Sequence, residues 1–136
     1  MSGRRTIAVA AFTVVTVAVI YLSVRSGSPT STVPWIPKFL ANWFDAHDVL
    51  KNLVGFFMLG ITGMAALGGE RPLIRPWRLA AVLMLFVVCL ELAQLKIPNR
   101  VADIRDVQAG WAAILLAWGV HTAFVWMAAL RRAPNG

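Results

Sequence analysis

The chain has 136 residues, of which 59% are hydrophobic and only 14% charged, whereas a soluble domain carries about 25% charged residues. Its net charge of +7 comes from 13 Lys and Arg against 6 Asp and Glu, scattered in ones, twos and threes between apolar runs. This excludes an ordinary soluble domain, and without a basic stripe or a P-loop it argues against nucleic acid or nucleotide as a partner.

A helix that spans a bilayer needs roughly 20 mainly apolar residues. Four such stretches use nearly the whole chain, leaving one domain, 1–136. The first apolar run, 7–24, follows Arg4 and Arg5. It is longer than the apolar core of a signal peptide, about 7 to 15 residues, and reads as a retained anchor. Residues 25–37 hold Gly27, Pro29, Pro34 and Pro37 and form a loop. Over 35–44, Trp35, Phe39, Leu40, Trp43 and Phe44 fall near helical spacing. Tryptophan favours the membrane–water boundary, so this stretch predicts a short interfacial helix, either a simple anchor or a cover over a lipid-binding groove. The second span covers about 49–67, and its Gly55, Gly60, Gly63, Ala65 and Ala66 offer small faces for close packing. A loop over 68–78 leads to the third span, about 79–95, and Pro98 and Asn99 mark the turn before the fourth, about 107–130. Cys89, the single cysteine, sits in an apolar run and reads as a small buried hydrophobe. The expected fold is an all-α integral membrane protein, a four-transmembrane-helix bundle with an interfacial helix between spans one and two.

With four spans, both termini share a side with the loop between spans two and three. That side holds Arg4, Arg5, Arg71, Arg75, Arg78, Arg131 and Arg132 against Glu70 alone. The other holds Arg25, Lys38, Lys51, Lys96, Arg100 and Arg105 together with Asp45, Asp48, Asp103 and Asp106. The first set clusters at helix ends, which predicts cytoplasmic termini.

The polar residues then gather at the outer end. Glu91 and Gln94, three apart, share a face of the third span. Asp103 and Asp106 open the fourth span, and Asp45, Asp48, Lys51 and Asn52 open the second beside His47. Each Asp pair can simply cap a helix N-terminus and complement its dipole. Glu91 follows the uncharged run 83–90, and a carboxylate so placed faces a bundle interior or a wet cavity. It is either a functional group or a structural partner of Arg100 or Lys51. His121, deep in the fourth span, is a proton relay or, more simply, a hydrogen-bond partner of a neighbouring helix. No compact ligand spacing around His47 supports a metal, and no cofactor is expected.

Glu91-Leu-Ala-Gln94, Ile97-Pro-Asn-Arg100 and Asp103-Ile-Arg-Asp106-Val resemble the VanZ-like membrane proteins, a family named for a protein associated with teicoplanin resistance. The family pattern runs Glu-x-x-Gln, a short turn, Arg, an Asp, then Asp-Val and Asn-x-x-Gly. Upstream, Asn52, Phe56 and Gly60 match its Asn-x-x-x-Phe-x-x-x-Gly stretch. The likeness covers roughly 48–116. Gly110 stands where the family usually has Asn, Ala113 where it has Gly, and Met58 where many members have Pro. The resemblance implies a role in the bacterial cell envelope, in the cytoplasmic (inner) membrane, with Asn52, Glu91, Gln94, Arg100, Asp103 and Asp106 as its polar residues.

The functional expectation is an outward polar pocket that binds a lipid-linked precursor or another anionic envelope component. Lys51 and Arg100 would hold phosphate or carboxylate, with Asn52 and Gln94 beside them. Glu91, Asp103 and Asp106 would carry any acid–base step. Membrane lipids are the expected partners, and self-association is open. The alternatives are a small proton-coupled transporter or flippase, which needs polar groups through to the inner face, and a non-catalytic scaffold.

Overall fold

The computed structural model of the chain describes residues 3–24, 32–34, 36–68, 74–97 and 103–132. All the regular structure among them is helical: α1 (Gly3–Val24), α2 (Lys38–Ala46), α3 (Asp48–Leu67), α4 (Pro76–Gln94) and α5 (Ile104–Arg132). Every one but the nine-residue α2 is long and apolar enough to cross a membrane. The chain is an all-α, multi-pass membrane protein.

Helix boundaries follow local chemistry more closely than hydropathy does. α2 begins at Lys38, later than the expected 35, because Pro37 accepts the amides of Leu40 and Ala41 at 3.0 Å each and fits only a first turn. Trp35 lies outside the described residues. α4 begins three residues before its apolar run, with Pro76 at N1, where a missing N–H costs nothing. Trp77 and Arg78, with the guanidinium 5.2 Å from the indole centroid, continue that helix as boundary residues. Hydropathy marks where a membrane core begins, whereas the helix itself runs on into the interface.

α2 and α3 are separated by one residue, His47, the N-cap of α3. Its Nδ1 lies 2.9 Å from the Trp43 carbonyl, and its ring stacks on Trp43 at 5.0 Å. Since a carbonyl only accepts, Nδ1 carries the proton and donates. Asp45 therefore sits in the last turn of α2, and the N-cap His47 makes no side-chain cap bond to α3. The Asp48 side chain lies outside the described residues.

α3 is the central helix. It packs most extensively on α5 and then on α1. A Cβ at Gly60 would lie 2.7 Å from the Ala117 Cβ and 3.7 Å from the Ile114 Cα, so these two backbones touch only because position 60 lacks a side chain. On its other flank α3 meets α1, with Phe12 against Gly63 and Val19 near Gly55. The core comprises Phe56, Leu59 and Met64 of α3, Leu79, Leu83, Val87 and Leu90 of α4, and Ala113 and Ile114 of α5. Hydroxyls within the spans bond back to their own helices, Thr16 to the Phe12 carbonyl at 2.7 Å and Thr62 to that of Met58 at 2.6 Å. The Trp111 indole N–H crosses to the Met84 carbonyl at 3.1 Å and ties α5 to α4.

Cys89 is exposed on the bundle surface, which corrects its expected burial. The inward stripe of α4 runs through Leu83, Val87, Leu90, Glu91 and Gln94, and position 89 falls off it. α5 is much the longest helix at 29 residues against 19 to 22 for the other spans. Its last turns are exposed, with Phe124 at 69% and Trp126 at 64%.

Gly60→Ala should lower stability by about 1–3 kcal/mol through overpacking, whereas Gly119→Ala, with nothing within 4 Å of its Cβ, should cost nothing. Thermal unfolding in detergent checks both, and equal melting temperatures would show that the α3–α5 contact does not depend on Gly60.

Candidate functional site at the turn between α4 and α5

Three helices converge at Gly110. A Cβ there would lie 2.8 Å from Val87 Cγ1 and 3.0 Å from Phe56 Cδ2. Phe56, Val87 and Gly110 thus form one closed apolar layer. Helix periodicity then sets what lies one turn beyond it. Asn52 precedes Phe56 by four residues, Glu91 follows Val87 by four, and Asp106 precedes Gly110 by four. Glu91 is buried, and Asn52 and Asp106 are half-buried. Gln94 and Asp103 lie three residues further out on their own helices.

Glu91 and Gln94 are each 7% exposed, the two buried polar side chains among the described residues. Glu91 Oε1 accepts the backbone N–H of Asp103 at 2.8 Å. Asp103 is the residue that caps α5: its Oδ1 accepts the Arg105 N–H at 2.9 Å, and its carbonyl accepts the Asp106 N–H at 3.0 Å. Asp106, in the first turn, adds negative charge at the positive end of the helix dipole. The capping reading of Asp103 therefore holds. Glu91 does structural work as well, since it fixes the end of α4 to the start of α5. The sequence motif gave no sign of this contact, because its acceptor is a side chain and its donor a backbone amide 12 positions away.

Gln94 differs from Glu91. Its side chain has no hydrogen-bond partner among the described residues, although it lies on the inward stripe of α4. Asn52 is likewise without a side-chain partner there. Among the described residues the fully buried side-chain atom without a partner is His121 Nε2, so the Gln94 amide keeps some exposure at its helix end.

Lys51 falls elsewhere. It precedes Gly55 by one turn, and Gly55 faces Val19 of α1, so its register is on the α1 flank of α3 and not on the flank with Asn52. Arg100 lies outside the described residues. No group of three metal-ligating side chains occurs among the described residues.

Below the site the interior is apolar through Leu59, Leu83, Ala113, Ile114, Ala117 and Met64. At the far end His121 reaches Gly68, where an added Cβ would lie 3.6 Å from Nε2. That nitrogen is buried without a hydrogen-bond partner, so the expected bond from His121 to a neighbouring helix is not made among the described residues.

The fold is a multi-pass helical bundle with buried polar side chains at one end. The VanZ/LLP1 family model matches residues 6–126, and the chain belongs to that family. No curated protein and no solved structure matches it at a significant level. At position 110 a larger side chain has no room, because an added Cβ would lie 2.8 Å from Val87 and 3.0 Å from Phe56.

Glu91→Leu leaves the Asp103 N–H without its acceptor and should destabilise the protein by about 1–3 kcal/mol. Glu91→Gln keeps an acceptor oxygen and should lose about half of that or less. Melting temperatures of the two variants separate the cases, and a Leu variant as stable as wild type would show that the bond contributes nothing to the fold.

Proposed function

We propose that the chain binds the polar headgroup of an envelope lipid, or of a lipid-linked precursor, in the recess lined by Asn52, Glu91, Gln94 and Asp106. One observation carries this reading: two polar side chains, Glu91 and Gln94, are more than nine-tenths buried at one end of an otherwise apolar interior. The clustered arginines at the opposite end favour an outward-facing site with cytoplasmic termini, in the bacterial inner membrane. Any acid–base step on the bound group falls to Glu91 and Asp106, the two acids one turn above the Gly110 layer.

The apolar layers between Phe56 and Met64 favour a blind site over a conduit, because a transport path needs polar groups along its length. Thr62, a polar group within the third helix, is bonded to its own helix. His121 lies at the far end beside Gly68. The scaffold reading gains support from the capping roles of Asp103 and Glu91, but it does not account for Gln94.

Native mass spectrometry of the purified protein tests the proposal and also reports its oligomeric state. Wild type should retain a distinct lipid class from bacterial membrane extract, and Glu91→Gln and Arg100→Ala should lose it. Equal, unselective binding by all three would sink the proposal and leave the scaffold reading. The family's association with teicoplanin resistance extends to this chain on the same basis. Expression should raise teicoplanin tolerance in a susceptible host, and no change in the minimum inhibitory concentration would remove that link.

A further inference from the structure

An anchor and a cover differ in where a short helix turns its bulky side chains. A surface helix of a water-soluble protein points its apolar stripe at the core and its polar side at solvent. α2 does the reverse. At about 100° per residue, Phe39, Leu40 and Trp43 fall on one arc of the helix. All three are exposed, Phe39 by 73%. Ala41 lies on the opposite arc and is 0% exposed. Lys38 and the half-buried Asp45 flank it there. The Phe44 side chain lies outside the described residues. The protein thus packs on the small, polar side of α2 and leaves the Phe39–Trp43 side uncovered. A cover over a groove would present Phe39 and Trp43 to that groove.

The adjoining surface identifies what meets this arc. α3 is long and apolar enough to cross a membrane. Its Leu50, Val54 and Met58, each four residues from the next, form an exposed apolar stripe, the side that a spanning helix shows to acyl chains. Only His47 separates α2 from α3. The exposed arc of α2 therefore lies where α3 enters the bilayer and continues its lipid-facing surface. Trp43, stacked on His47 at 5.0 Å, takes the boundary position that tryptophan favours. Lys38 and Asp45 are the charged residues of α2 and cancel. Apolar area, rather than attraction to anionic headgroups, then holds the helix in place.

We infer that α2 is immersed by this arc in the bilayer leaflet at the N-terminal end of α3, the end that carries Asn52, Glu91 and Gln94. Phe39 and Leu40 lie among the acyl chains, and Asn42, about 160° around the helix from Leu40, lies on the water side. The partner is the acyl region of the leaflet, whatever its headgroups. The inference stands on α2 and α3 alone and is independent of the headgroup reading of the recess. An immersed α2 also fixes the depth at which α3 enters the bilayer, because a single residue joins the two.

The test places single spin labels on the full chain in nanodiscs of phosphatidylcholine, which carries no net charge. Cys89→Ala is the background; Cys89 is exposed, so its removal leaves the core intact. Phe39→Cys, Leu40→Cys and Asn42→Cys each add one label at an exposed position, and an unchanged melting temperature confirms the fold of each. Oxygen partitions into acyl chains, whereas a nickel chelate stays in water. The ratio of oxygen to nickel accessibility should be severalfold higher at 39 and 40 than at 42. Nickel access at 39 and 40 equal to that at 42 would put the arc in water and overturn the inference. Shielding of 39 and 40 from both reagents would overturn it in favour of a second copy of the chain on this face. High oxygen access at all three positions would overturn the two-sided placement.

Discussion

The site depends on one carboxylate. Glu91 stands in the inward stripe of α4, where a charge is costly unless it is well bonded, and its Oε1 receives a backbone N–H from the first residue of the next structural unit. That bond spans the α4–α5 turn and sets where α5 begins. It also places Asp103 as a cap and Asp106 one turn in, and holds Glu91 with its charge at the end of the bundle. A side chain that looks purely chemical in sequence is thus part of the frame around the recess, so its loss would blur structural and functional effects. The Gln94 side chain makes no such bond among the described residues.

Under the recess, packing does the complementary work. Gly110 allows Val87 and Phe56 to meet across three helices, and Gly60 allows α3 and α5 to touch. In lipid there is no hydrophobic drive to bring helices together, so close backbone approach and van der Waals contact carry the association. The layer at Gly110 is continued by the apolar residues beyond it.

Much of this was legible in the sequence, because a bilayer demands long apolar helices and because Pro and Gly punctuate them. The number of spans and the short helix before the second follow from such signals, and the family from the polar motif around Glu91. The grouping of Glu91, Gln94, Asp103 and Asp106 at one end followed from counting turns. The division of labour among them did not. Capping by Asp103 and a free amide on Gln94 look alike in a string of polar letters and are separated only by a third helix. Lys51 and Asn52 are neighbours in sequence, yet 100° of helical rotation turns one toward α1 and the other toward the recess. Cys89 went astray for the same reason: in an apolar run every residue looks buried, whereas a membrane helix shows many of its residues to lipid.

The unequal helix lengths have a mechanical consequence. The apolar run 107–130 of α5 rises about 36 Å at ~1.5 Å per residue, against a hydrocarbon core of roughly 30 Å. A rod of that length must lean by roughly 30° or thicken the leaflet around it, while the 20 residues of α3 fit nearly upright. The two helices are pinned together at Gly60 and Ala117, and past the end of α3 the final turns of α5 stand exposed. Bilayer thickness therefore acts on α5 as on a lever with its fulcrum at Gly60, and the short arm of that lever ends at the recess.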